Sequence, residues 1–126
     1  MTDSGSNFLT AEDCKLGLAS INIIGSSVGT RSFLNCEGGT YYLNNASAVL
    51  SIRNNRAVNS FVLSAGTLSI ENSTVFVPQG ATLTIGASGA TFRADNVKFL
   101  YPNGNYAVIN IVAGCFYLLT GDCQYA

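Results

Sequence analysis

Glu71 and Asp95 are the pair of acidic residues whose spacing best suits chemistry. They lie 24 residues apart and each directly precedes an asparagine, Asn72 or Asn96. If the chain repeats at that interval, the two carboxyls stack about 5 Å apart, the separation of a retaining glycosidase pair. Arg93, two residues before Asp95, would then orient a substrate; cation binding by the two carboxylates is a further reading. The competing reading is a solvated corner, where Asp, Glu and Asn commonly sit, and it is the one adopted here. Other catalytic sets are absent from the sequence. It contains no His, so no Ser or Cys nucleophile has an imidazole base. Gly86-Ala87-Ser88-Gly89 lacks the Lys and helix of a phosphate loop. Cys14, Cys36, Cys115 and Cys123 have no C-x-x-C spacing, which argues against thiolate zinc. They read as free, mostly buried thiols, and no cofactor is expected.

The elements that hold these residues are β-strands. Short alternating runs bounded by Gly, Asn and Ser recur from about residue 40, with almost no helical periodicity. Thr40-Tyr41-Tyr42-Leu43-Asn44-Asn45 matches Thr67-Leu68-Ser69-Ile70-Glu71-Asn72 and Thr91-Phe92-Arg93-Ala94-Asp95-Asn96, and more loosely Cys115 to Thr120; the offsets are 27, 24 and 24. Gly39, Gly66, Gly89 and Gly114 mark the junctions, and Pro78-Gln79-Gly80 recurs as Pro102-Asn103-Gly104.

This pattern predicts an all-β, right-handed parallel β-helix: a triangular solenoid of about four coils of roughly 24 residues, each with three short strands. Inward pairs are Leu68/Ile70, Val75/Val77 and Leu83/Ile85 in one coil, then Phe92/Ala94, Phe99/Tyr101 and Ile109/Ile111 in the next. Tyr41, Leu68, Phe92 and Phe116 should form one interior column, Leu43, Ile70, Ala94 and Leu118 its neighbour, and Asn45, Asn72 and Asn96 an amide ladder. Residues 39–126 are assigned to the helix and 1–38 to an N-terminal arm and cap. There, Thr10-Ala11-Glu12-Asp13 reads as a capping box for a short helix, Ile21 to Ile24 as an irregular strand, and 1–7 as a flexible arm.

Residues 39–120 therefore resemble the right-handed parallel β-helix families: pectate-lyase-like enzymes, phage tailspikes and fibres, and polymer-forming bactofilins. Few coils depart from the enzymes, and sparse charge with uneven coil lengths departs from bactofilins. The resemblance is closest in kind to phage head-decoration, fibre or tailspike proteins.

Composition narrows the partners. The chain has 126 residues, 48% hydrophobic but only 10% charged, against about 25% charged in ordinary domains. Much of its surface is thus expected to meet protein. A net charge of −1 offers no basic patch for nucleic acid. The longest nearly apolar stretch, Tyr106 to Leu119, is too short to span a bilayer, and the first residues lack the pattern of a secretory signal.

At equivalent outward positions of the second strand the repeat places Val49, Phe76 and Leu100, an apolar column that would be covered by other copies of the chain. Tyr42 and Tyr117, with Arg93 between them, would make a second contact or a glycan-stacking strip with Glu71 and Asp95. The expectation is a non-enzymatic structural protein of a virus particle, folded in the host cytoplasm: a homotrimeric phage head-decoration (cement) protein or short fibre that attaches to a capsid or tail. The alternatives are a glycan-binding or glycan-cleaving module and a bacterial scaffold that polymerises end to end.

Overall fold

The computed structural model describes residues 2–3, 10–76, 83–100 and 109–125. Its strands are β1 (Thr2–Asp3), β2 (Thr10–Glu12), β3 (Lys15–Ile24), β4 (Gly29–Leu34), β5 (Glu37–Arg53), β6 (Ser60–Phe76), β7 (Leu83–Ile85), β8 (Thr91–Leu100), β9 (Ile109–Ile111), β10 (Phe116–Thr120) and β11 (Gln124–Tyr125). Every pairing among them is parallel. The chain is a parallel β-solenoid of about five turns, with no helix among the described residues.

Each turn contributes to three sheets. The first stacks Ile21–Ile24, Tyr41–Asn44 and Phe61–Ala65. The second stacks β2, β4, the ends of β5 and middle of β6, the start of β8, and β10. The third joins Val58, Ser73–Phe76, Val97–Leu100 and β11. Inward residues alternate with outward ones, as the strand pleat requires. On the first sheet the interior columns are Ile21–Tyr41–Phe61 and Ile23–Leu43–Leu63; on the second they are Arg31–Leu50–Leu68–Phe92–Tyr117 and Phe33–Ile52–Ile70–Ala94–Leu119. Below Tyr117 and Leu119 all of these side chains are buried. Each large apolar member contributes about 1.5–3 kcal/mol by leaving water. Phe61 stacks on Phe92 with ring centroids 5.6 Å apart, tying the first sheet to the second through the core.

The corner from the second sheet to the third is set by backbone conformation. Asp13, Asn35, Asn54, Asn72 and Asn96 all have positive φ, between 49° and 57°. Asn and Asp tolerate this region better than other side chains. Their side chains then form rungs: Asn54 Nδ2 donates to Asn35 Oδ1 at 3.1 Å, and Asn96 Nδ2 to Asn72 Oδ1 at 3.1 Å. The ladder predicted from the repeat exists, but its lower members are Asn35 and Asn54. Asn45 lies elsewhere, buried, with its amide donating to the Ser27 carbonyl at 3.0 Å.

Three further expectations are corrected. Thr10-Ala11-Glu12-Asp13 forms no helix: Thr10–Glu12 is a strand paired with Ser32–Leu34, and Asp13 turns the corner. Tyr41 pairs with Phe61 and Leu50 with Leu68, so Tyr41 and Leu68 belong to different sheets. At the other end Phe116 pairs with Thr91 and Leu118 with Arg93, both facing out; Tyr117 and Leu119 continue the interior columns. The cause is uneven coil length. Equivalent positions are 18 residues apart from Leu50 to Leu68, 24 from Leu68 to Phe92 and 25 from Phe92 to Tyr117. Val77, Tyr101 and both Pro-x-Gly turns lie outside the described residues, as does most of the arm expected over 1–7.

Candidate functional site

The outer surface of the second sheet carries the polar columns. Thr30, Val49, Thr67 and Thr91 follow one another in register, then Ser32, Ser51, Ser69 and Arg93, then Leu34, Arg53, Glu71, Asp95 and Thr120. Glu71 and Asp95 are therefore stacked in adjacent coils, as their spacing predicts, about 4.8 Å apart along the backbone. Arg53 sits one coil below Glu71. Above Asp95, the Thr120 hydroxyl donates to its Oδ1 at 3.0 Å. Ser69, Glu71, Arg93, Asp95 and Thr120 line a shallow cleft of about 210 Å³.

Neither Glu71 nor Asp95 is buried. The cleft is an open row of two carboxyl groups, two hydroxyls and one guanidinium, suited to hydrogen bonding with a polar ligand. A wider groove of about 370 Å³ runs along the corner near Gly66, Thr67 and Thr91, and its walls carry no ionisable side chain. Among the described residues no cluster of three or more His, Cys, Asp or Glu is placed to hold a metal ion.

The aromatic strip does not assemble. Tyr42 lies on the first sheet between Asn22 and Val62, Tyr117 covers Phe92 in an interior column, and Arg93 lies between Ser69 and Leu118. The apolar column also divides. Phe76 and Leu100 are neighbours on the third sheet, while Val49 pairs with Thr30 and Thr67 on the second. Tyr42 and Val49 are displaced by the short lower coils and Tyr117 by the added residue of the uppermost one, which a constant offset cannot represent.

Among the described residues, the uppermost rung carries a run of exposed apolar side chains. Phe116, Tyr117, Leu118 and Leu119 are consecutive and 68%, 59%, 55% and 48% exposed. Two face out by the pleat; the other two face the end of the core, where no further described strand stacks on them. The chain matches no protein-family model, no curated protein and no solved structure. Its function must therefore be argued from these surfaces.

Two buried groups important to the interior are not apparent from periodicity. Arg31 is fully buried beneath Leu50 and donates to the carbonyls of Ser27 and Gly29 at 3.1 and 2.9 Å. Asn55, next to the corner residue Asn54, accepts from the Gly38 and Ala57 amides and donates to the Gly38 carbonyl and Tyr41 hydroxyl. Burial pushes the Tyr41 phenol well above its ordinary range; the nearby thiols add to the rise and the Asn55 hydrogen bond opposes it. The Asn54-Asn55 doublet was the available signal, since it repeats the Asn44-Asn45 doublet in composition.

Proposed function

We propose that the chain is a non-enzymatic structural protein of a virus particle, a trimeric head-decoration or short fibre protein of a tailed phage. The observation that carries this reading is the uppermost rung, Phe116 to Leu119, four consecutive apolar side chains about half or more exposed. A contiguous apolar surface of this kind calls for protein cover. Further support comes from Phe76 with Leu100 on the third sheet and Tyr42 with Val62 on the first, which offer lateral contacts. Low charge suits a chain whose surface is largely covered by its neighbours. The role would be mechanical: in-register coils hold one another through continuous hydrogen-bonded sheets, and closed association hides what one thin solenoid leaves exposed. Proteomic measurement of purified particles from the source virus tests the reading; the chain should be present at the stoichiometry of a capsid or tail component, and its absence would refute it.

The cleft favours a second reading, a glycan-binding module, because Ser69, Glu71, Arg93, Asp95 and Thr120 converge there. Retention of the chain on immobilised glycans, lost in Arg93→Ala, would support it. The outer edge of the uppermost rung, on which no further described strand pairs, is also compatible with end-to-end polymerisation, which negative-stain microscopy would distinguish as filaments.

A further inference from the structure

Cys14 and Cys36 occupy equivalent places in successive coils. Each follows a corner residue of positive φ, Asp13 or Asn35. The backbone fixes their register on both sides: the Asp13 amide donates to the Leu34 carbonyl at 3.0 Å, and the Glu37 amide to the Cys14 carbonyl at 2.8 Å. The two sulfurs also point the same way. Cys14 Sγ donates to the Glu12 carbonyl at 3.3 Å and Cys36 Sγ to the Leu34 carbonyl at 3.6 Å, the residue two before it in each case. Cys36 Sγ also reaches down to the Ala11 carbonyl at 3.8 Å, in the coil that carries Cys14.

Adjacent parallel strands stand about 4.8 Å apart, inside the Cα separation of about 4.4–6.8 Å that a disulfide spans. Cys14 and Cys36 are both free thiols here. We propose that Cys14 and Cys36 are an oxidation site that closes to an intramolecular disulfide by exchange with a small disulfide such as glutathione disulfide, stapling the lowest coil to the next.

The chemistry balances without another reactant. Cys14, the more accessible sulfur, loses its proton to solvent and attacks one sulfur of the small disulfide, releasing one thiolate and forming a mixed disulfide. Cys36 then loses its proton and attacks the Cys14 sulfur, releasing the second thiolate. Two protein thiols are oxidised and one small disulfide is reduced to two thiols. Burial raises the Cys36 thiol and so lowers its thiolate fraction, and it is the adjacency of the Cys14 mixed disulfide that carries the second step.

The other two cysteines lack such a neighbour. Cys115 directly precedes Phe116, which pairs with Thr91, so Cys115 lies beside Ala90; its sulfur packs against Gly86. Cys123 donates to the Thr120 and Ala94 carbonyls at the upper end of the solenoid. Above Cys36 the corner column continues as Asn55 and Ser73, which carry no sulfur.

The test treats the folded full chain with glutathione disulfide. Titratable thiols should fall from four to two, the mass should drop by about 2 Da with no retained glutathione, and peptide mapping should join Cys14 to Cys36. Closing this loop should raise Tm by on the order of 10 °C, reversed by reductant. The Cys115→Ser/Cys123→Ser double variant, which leaves the lower coils untouched, should close at the same rate as the parent chain. Survival of all four thiols, a stable glutathione adduct, or a bridge joining any other pair would overturn the proposal. So would failure of the folded double variant to close.

Discussion

Asn96 donates its side-chain amide to Asn72 Oδ1 at 3.1 Å, and both residues hold a left-handed backbone, φ 53° and 49°. Conformation and side-chain chemistry are thus satisfied by one residue type at one corner. The bond stacks coil on coil while the backbone turns from the second sheet to the third. Above it the Asp122 amide donates to Asn96 Oδ1 at 2.7 Å, carrying the ladder into the uppermost turn.

Replacing Asn96 should therefore separate the two contributions. Asn96→Gly loses the rung but removes the backbone strain, at a cost of about 1 kcal/mol. Asn96→Ala loses the rung and places an ordinary Cβ at positive φ, at about 2–3 kcal/mol. Urea unfolding should rank the chains Asn, Gly, Ala in falling stability; an Ala variant as stable as the Gly variant would show that backbone strain does not matter here.

Gly66 and Gly89 make a second controlled comparison. A Cβ on Gly66 would lie 2.4 Å from the Asn45 carbonyl oxygen and 2.9 Å from that of Ala48, whereas one on Gly89 meets nothing within 4 Å. Both have positive φ, 99° and 85°. Gly89→Ala should cost only the strain, about 1–2 kcal/mol, and Gly66→Ala clearly more, because backbone must shift. Thermal melts of the two variants would read the difference.

The same geometry explains what the sequence could reveal. Between residues 67 and 100 the coil length is constant, so Leu68 under Phe92, Glu71 under Asp95, Asn72 under Asn96 and Phe76 under Leu100 were all legible. Below Thr67 the coils shorten, and Thr40-Tyr41-Tyr42-Leu43 imitates the strand that belongs to Val49-Leu50-Ser51-Ile52. Above Asp95 one added residue exchanges the inward and outward faces, because a strand repeats every two residues; that slip misplaced Phe116 and Tyr117. Thr10 to Asp13 misled for a chemical reason: a small polar residue three positions before an acid suits a helix N-terminus, and an Asp equally suits a left-handed corner. The stacking of Cys14 under Cys36 depends on the same short coils, so no fixed period could reveal it.

Alkaline pH should weaken the fold through Tyr41. Its phenol is raised by burial, so the folded value exceeds the unfolded one, about 10. The stabilising contribution is then complete below about pH 10 and is lost as pH climbs through the interval toward the folded value. Cys36, raised from 9.0 by burial, adds the same trend from a lower starting pH. Unfolding free energies measured from pH 8 to 11 should fall, and Tyr41→Phe should flatten the steepest part while losing about 1 kcal/mol at neutral pH from the broken Asn55 contact.

Glu71→Gln/Asp95→Asn removes both acidic side chains of the cleft without changing shape. On the structural reading this double variant keeps its stability within about 0.5 kcal/mol and its native mass unchanged. A loss of glycan retention in the same variant would transfer weight to the binding reading.

The most direct test of the central claim is the native mass of the chain in solution, measured by light scattering alongside a Tyr117→Asp/Leu119→Asp variant. The proposed trimer, if it covers the uppermost apolar rung, has a mass three times that of the chain, falling to the single-chain mass in a variant whose circular dichroism still reports the β-solenoid. A parent chain that remains a stable monomer at every concentration tested would contradict the account.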